Sequence, residues 1–403
     1  MKIAVVGLLH HPIAEPFAGG MEAHTWWLAK KLIEKGHEVT LFASGDSDAT
    51  LGLSPCIAQA FVNNPGAQTL LGRQACNMSA YASVLRQICQ QQFDVVHNNA
   101  LHPLLLLSAA DLPMPMLTVL HTPVYKELAA AVKYAAARNT LGRLLAVSVS
   151  NSLAREWQPL IASEVVYNGI DVESWPQSSS NPFQKASQAS PQEIPQRLSK
   201  QDQQSVEESR KTALWYGRFV PEKAPHVAIQ SAIRAGYKIE VAGPVGHQQY
   251  WQDEIVPLLG KDTVSYLGHL DHSQIKQALL RADVFVNTPM WEEPYGFVYA
   301  EALASGTPVA TFRSGAADEI LTPCCGVIVE ERTVEALASA VLTAAKLSGR
   351  HCRSRAESFC HIDLMIEQYE RRYRRLILNQ RRLDRLKHHD VAAQMQSLVG
   401  IAS

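Results

Sequence analysis

The sequence predicts an α/β protein built from two doubly wound, Rossmann-like domains facing each other across a cleft. Three observations predict it. Short apolar runs alternate with helical patterns along most of the 403 residues, as βαβ units around parallel sheets require. The alternation stops once, in a polar stretch at 175–211, and then restarts. Finally, 47% apolar against 19% charged residues suits large buried cores and not a disordered chain.

In order, Ile3–Leu8 reads as the first strand, Met21–Lys35 as a helix and Glu38–Ala43 as the next strand. Further strands are expected at Val95–His97, Met116–Leu120, Leu145–Val149 and Val165–Tyr167. These make an N-terminal domain of residues 1–174. The segment 175–211 is rich in Ser, Gln, Pro and Lys and reads as a linker or insertion. Residues 212–360 repeat the pattern, with strands expected at Ala213–Tyr216, Lys238–Val241, Val264–Leu267, Val284–Asn287 and Pro308–Thr311. Residues 361–403 read as a basic helix and tail, carrying Arg371, Arg372, Arg374, Arg375, Arg381, Arg382, Arg385 and Lys387.

The formal net charge of −1 gives no global field for nucleic acid, so an anion site must be local. The seven cysteines show no CxxC spacing, and the odd count points to a reducing, cytoplasmic compartment. The apolar stretch Leu101–Leu120 is interrupted by Pro103, Asp111, Pro113 and Pro115 and is too broken to span a bilayer. Peripheral contact with anionic lipid at the inner membrane face is one expectation for the basic helix together with Lys126, Lys133, Arg138 and Arg143. A solvated helix lying back on the N-terminal half is the other.

Four clusters carry chemistry. The strongest runs from Trp291 to Val309, where a polar loop opens a helix near Gly296. Free N–H groups and the dipole at such a terminus favour phosphate. Glu293 falls in the loop and Glu301 in the helix, seven residues between them. On an apolar helix face Glu301 needs a partner, and ribose hydroxyls would serve; a plain solvated Glu is the alternative. Second, Arg218 and Lys223 follow a strand, five apart, and can converge on one pyrophosphate as fork and point charge, or else be ordinary surface cations. Third, Gly19-Gly20 precedes the first helix and permits close backbone approach. Fourth, His121 ends a strand, where it can touch a ligand or serve as a hydrogen-bonded structural residue. Asn168–Asp171 marks a tight turn with a structural role. No metal site is apparent: His10 and His11 are adjacent and point apart, and Asp46-Ser47-Asp48 lies in a loop without apolar flanks.

Together these motifs resemble the retaining family 4 glycosyltransferases of the GT-B fold, over nearly the whole chain. The resemblance rests on Gly19-Gly20, Phe93–His97, His121-Thr122, Val149–Ser152, Asn168–Asp171, Gly217-Arg218 with Lys223, Gly268–Leu270, and above all Glu293 through Val309. It implies that a hexose moves from a UDP- or GDP-sugar to an unidentified glycan, lipid or small-molecule acceptor. The anomeric configuration would be kept, and neither metal nor other cofactor used. Arg218 and Lys223 would hold the diphosphate, Phe297 and Val298 would give N–H groups to it, and Glu301 would accept the ribose hydroxyls. Glu293 would bind hydroxyls of the transferred sugar and His121 would contact that sugar. Gly19 and Gly20 would close over the donor, and the Leu270 backbone would meet the base. The resemblance favours front-face attack, in which the leaving phosphate takes the acceptor's proton and Glu293 orients. Two departures stand out: Ala224 follows Lys223 where the family usually has Gly, and 175–211 is longer than the usual connection. A sugar-nucleotide epimerase or phosphorylase on the same architecture, or a non-catalytic sugar-nucleotide binder, are the rival readings.

Overall fold

The computed structural model describes residues 1–176, 211–260 and 262–400, with side chains to Leu386. The expected linker at 175–211 therefore lies almost wholly outside the described residues. The chain divides into two units, Met1–Tyr167 with Asp363–Ser403, and Asn168–Ile362.

The first unit is built on a parallel sheet of seven strands, ordered β3-β2-β1-β4-β5-β6-β7. These are β1 (Lys2–Val6), β2 (Glu38–Ser44), β3 (Leu53–Ile57), β4 (Val95–Asn98), β5 (Met116–Leu120), β6 (Leu144–Ser148) and β7 (Ser163–Val165). The central strands are near-continuous apolar runs because helices cover both faces of such a sheet. β1 is flanked by Val39 and Val95 at Ile3, and Ile3–Val6 is fully buried. The helix Gly20–Glu34 follows β1 within one residue of expectation.

The second unit holds six parallel strands, ordered β10-β9-β8-β11-β12-β13: β8 (Thr212–Tyr216), β9 (Lys238–Ala242), β10 (Val264–Tyr266), β11 (Val284–Asn287), β12 (Val309–Phe312) and β13 (Gly326–Val329). Both sheets reverse direction beside their first strand, between β1 and β4 and between β8 and β11. In open α/β sheets that reversal opens a crevice at the strands' carboxyl ends.

Two edge strands went unread in the sequence. β3 carries Ser54 and Pro55 and is only half-buried; Pro is tolerated on an edge because no inner neighbour needs its N–H. β13 has four residues and begins with Gly326.

The domain borders differ from those expected. Residues 168–175, placed by sequence with the N-terminal domain and the linker, pack in the second unit. The Ile170 N–H donates to the Cys360 carbonyl at 2.8 Å, and the Ile362 N–H to the Ile170 carbonyl at 2.9 Å. Val172 and Trp175 are buried there, and Arg353 Nη1 donates to the Trp175 carbonyl at 2.8 Å. A Cβ on Gly169 would lie 2.5 Å from the Ile362 Cα, so the turn read in Asn168–Asp171 is a strand-like pairing that needs a bare glycine.

The terminal helix Ile362–Gly400 packs on the first unit, as expected. Tyr369 and Tyr373 are fully buried, and Glu370 accepts from His37 at 2.7 Å and from Arg374 at 3.1 Å. Much of its basic character is used internally: Arg372 and Arg375 both pair with Glu164, and Arg371 lies 3.6 Å from Glu367. Outside the helix, Arg138 pairs with Asp111 at 2.8 Å and Arg143 donates to the Leu112 carbonyl. Among the described residues, no helix is long and apolar enough to cross a membrane.

Candidate active site

The carboxyl end of β8 turns through Gly217-Arg218 and a short 3₁₀ turn, Pro221–Lys223, into the helix Pro225–Arg234. Ala224 caps that helix with φ 42° and ψ 50°, the left-handed region. A Cβ is strained there by about 1–2 kcal/mol, which explains why Gly is the natural choice. The turn is held from β11: Thr288 Oγ1 lies 2.8 Å from the Lys223 carbonyl and 3.0 Å from that of Ala224, and the Met290 N–H donates to the Glu222 carbonyl at 2.8 Å.

This clamp presents Lys223 to the loop after β11. Its ammonium pairs directly with Glu293 Oε2, which also accepts from Trp291 Nε1 at 3.1 Å. The Trp291 ring lies 5.2 Å beneath the same ammonium. Glu293 is fixed from behind by Ser314–Ala316. Its N–H donates to Ser314 Oγ at 3.0 Å, its carbonyl accepts from the Ala316 N–H at 3.1 Å, and any Cβ on Gly315 would run into that carbonyl.

Gly296 then adopts φ 84° as cap of the helix Phe297–Ala304. A Cβ there would lie 2.7 Å from the Tyr299 ring and 3.3 Å from Glu293 Cγ, so glycine lets the helix start beside Glu293. The Tyr299 N–H bonds back to the Gly296 carbonyl at 3.0 Å; the N–H groups of Phe297 and Val298 have no backbone acceptor among the described residues. Glu301, one turn in, accepts from the Tyr216 hydroxyl at 2.5 Å. Burial raises the Glu301 carboxyl above its ordinary range, against the Tyr216 bond and the attraction of Lys276. Burial, with the Glu301 carboxyl beside it, drives the Tyr216 phenol well up.

The structure thus brings Lys223, Glu293, Gly296, Phe297 and Val298 together, and puts Glu301 against the end of β8. Arg218 is exposed beyond β8, and no side chain among the described residues pairs with it. Leu270 lies in the crossover after β10, just before the helix capped by Asp271.

Gly19, Gly20 and His121 belong to the first unit. Gly19 caps its helix in extended conformation, and a Cβ on it would meet the Glu22 carboxylate at 3.1 Å. That terminus already holds a carboxylate, which satisfies the dipole a phosphate would seek. His121, at the end of β5, is 7% exposed and donates from Nε2 to Asn99 Oδ1 at 3.0 Å. Burial, with His24 and His97 nearby, holds its pKa well below the usual value.

Sequence reasoning gave no role to Tyr216, Ser314 or Asn99, nor to His97, which it noted only as the end of the Phe93–His97 motif. The alternation of His97 and Asn99 at a strand end, which puts both on one face, was the available signal. Tyr216 and Ser314 gave none, being far in sequence from the Glu301 carboxylate and the Glu293 backbone N–H that they respectively touch. Among the described residues no group of three or more His, Cys, Asp or Glu side chains gathers as metal ligands.

Cations, helix N–H groups and hydrogen-bonding carboxylates at the reversal of a doubly wound sheet define a protein that binds a phosphorylated, hydroxyl-rich ligand. Two sequence families match the chain, "Glycosyltransferase Family 4" over residues 18–174 and "Glycosyl transferases group 1" over 196–357. The chain belongs to the family 4 glycosyltransferases of the GT-B fold. It is 25% identical to a glycogen synthase of Mycobacterium tuberculosis, over 85% of each chain. Among solved structures it resembles sucrose-phosphate synthase from Thermosynechococcus elongatus, with a TM-score of 0.71 at 17% identity, covering 94% of this chain and 99% of that one. Anabaena HepE in complex with UDP and glucose gives 0.66 at 18%, covering 92% and 98%.

Proposed function

We propose that this glycosyltransferase moves a hexose from a UDP- or GDP-sugar with retention of configuration, using no metal and no other cofactor. The observation that carries the reading is the meeting of Lys223 and Glu293 beside the first turn of Phe297–Ala304. Glu293 pairs with Lys223. An entering diphosphate competes for that ammonium, with Arg218 as a second cation and the Phe297 and Val298 N–H groups as further donors. Released from Lys223, Glu293 is free to accept hydroxyls of the sugar, which His121 also contacts. Glu301 and Tyr216 take the ribose, Leu270 the base, and Gly19 and Gly20 the donor's outer side.

Departure of the nucleoside diphosphate builds negative charge on its outer phosphate. Fixed cations and oriented N–H groups stabilise that charge without reorganising. They supply the neutralisation that a divalent ion supplies in metal-dependent transferases. The acceptor's proton passes to the leaving phosphate and Glu293 orients the sugar, so the new bond forms on the face the phosphate leaves. The bound complex of HepE with UDP and glucose supports a uridine donor among the candidates. Peripheral contact with anionic lipid rests on the exposed Arg381, Arg382 and Arg385, and co-sedimentation with anionic vesicles checks it.

The test is turnover of a panel of nucleotide diphosphate sugars in excess chelator, with the product's anomeric configuration read by proton NMR. Retention without metal is expected. An inverted product, or activity lost to chelator and restored by a divalent ion, overturns the reading. Donor conversion without transfer to any acceptor would favour an epimerase.

A further inference from the structure

At the ends of β4 and β5 lies a buried polar network that also takes in the helix Gly20–Glu34 and the terminal helix, four elements of the first unit. Asn99 Oδ1 accepts from His97 Nε2 and from His121 Nε2, each at 3.0 Å. The orientation of this amide is decided on its other side. The Thr25 hydroxyl donates its one proton to the Met21 carbonyl at 2.9 Å, so its oxygen can only accept from Asn99, whose Nδ2 lies 3.2 Å away. The amide oxygen must then face the two imidazoles, and since it cannot donate, both Nε2 atoms carry protons. At His97 the remaining Nδ1 meets the Tyr373 hydroxyl at 2.5 Å, from the terminal helix.

The groups that face His121 are His24, from the helix Gly20–Glu34, and His97, from β4. Neither is a carboxylate that would favour an imidazolium, and burial holds both of them down to about 3. His121 is therefore neutral, with Nδ1 bare. That nitrogen has no hydrogen-bond partner among the described residues, and it is not sealed as both ring nitrogens of His24 are.

We propose that Asn99, oriented by Thr25, is a positioning residue that locks His121 as the Nε2–H tautomer, so that Nδ1 stands as an acceptor for a hydroxyl of the transferred sugar. The sugar half of this rests on the function proposed above; the tautomer half does not. The lock has a chemical consequence. A bare nitrogen takes a hydroxyl proton and repels an ionised phosphate or carboxylate, so this side of the site selects a neutral group that can donate.

The test is long-range proton–nitrogen NMR on the full chain with labelled histidine, without ligand, His121 being assigned with His121→Gln. Near neutral pH the expected pattern is a protonated Nε2 and a bare Nδ1. Asn99→Asp should draw a second proton onto His121 and lower kcat/KM by up to about tenfold, the worth of one hydrogen bond between neutral groups. Raising the pH should restore activity in Asn99→Asp but not in Asn99→Ala, which a merely structural role would not produce. Should Asn99→Asp fail to fold, Thr25→Val serves: freed of its orienting hydroxyl, the amide can turn, and the Nδ1–H form of His121 should gain population. A wild-type His121 that is an imidazolium or Nδ1–H overturns the lock, as does an unchanged pattern in folded Asn99→Asp or Thr25→Val. If the tautomer is as stated but saturating donor leaves the His121 signals unmoved, the hydroxyl-acceptor role falls with the placement of His121 at the sugar.

Discussion

The two units share one topology and use its reversal point in opposite ways. Beside β8 and β11 the polar groups are charged and near solvent: Arg218 exposed, Lys223 and Glu293 partly buried against each other, and helix N–H groups left open. Beside β1 and β4 they are neutral and sealed: His24, His97 and Asn99 are at most 1% exposed. Desolvation explains the division. A fixed cation must stay partly hydrated or paired to remain charged, whereas an imidazole can be buried in its neutral form, at least cost where both nitrogens are hydrogen-bonded, as in His97. The first arrangement suits capture of a polyanion, the second discrimination among hydroxyls. The lesson is that sheet order marks where a ligand binds, and burial decides what kind of group it presents.

The largest expected effect breaks the charged side. Arg218→Ala or Lys223→Ala should each lower turnover at least about 100-fold, as losing one charge-stabilising donor does. Steady-state kinetics on the folded variants would check this, and wild-type rates in either would falsify it.

The next sharpens the role of Glu301. Glu301→Gln should raise the donor KM about tenfold through loss of charge-assisted bonds to the ribose, with a smaller change in kcat. Its stability should move the other way. The folded pKa is raised, so the carboxyl favours the folded state most below its unfolded pKa near 4.5, and that contribution is lost as pH rises through the folded value. At neutral pH the variant should therefore melt at or above wild type. The wild-type donor affinity should fall on acidification at a pH above the ordinary carboxylate range, a limb that Glu301→Gln lacks. Calorimetry and the pH dependence of KM read both effects.

On the neutral side, Tyr373→Phe removes the donor to His97 Nδ1 and leaves a buried acceptor unmet. A loss of about 1–3 kcal/mol in denaturant unfolding is expected, with little change in donor KM. A large KM change would show that the sealed network reaches the donor directly.

The smallest effect concerns Ala224→Gly. Relief of about 1–2 kcal/mol of left-handed strain is set against loss of a buried methyl worth about 0.8 kcal/mol and the entropy of glycine. Stability should change by less than about 1 kcal/mol and turnover by less than about twofold. A larger loss of stability would mean that the methyl, and not the backbone conformation, matters at this turn.

By itself the sequence determined the two α/β halves, most strand positions, the loops that carry Arg218, Lys223 and Glu293, and the helix that carries Phe297, Val298 and Glu301. These are local signals: apolar periodicity reports burial within one element, and a glycine before a helix reports its own backbone. What it left undecided is what lies across the fold. That Lys223 meets Glu293, that Tyr216 meets Glu301 and that His97 meets Tyr373 depend on pairs separated by 70, 85 and 276 positions. No periodicity spans such distances. The borders moved for the same reason: residues 168–175 look like the end of one half until the backbone of Ile170 finds its partners at Cys360 and Ile362. Hydrogen bonds between distant segments form only once the sheets have placed them side by side, so tertiary structure alone decided which cation faces which carboxylate and which nitrogen of His121 holds the proton.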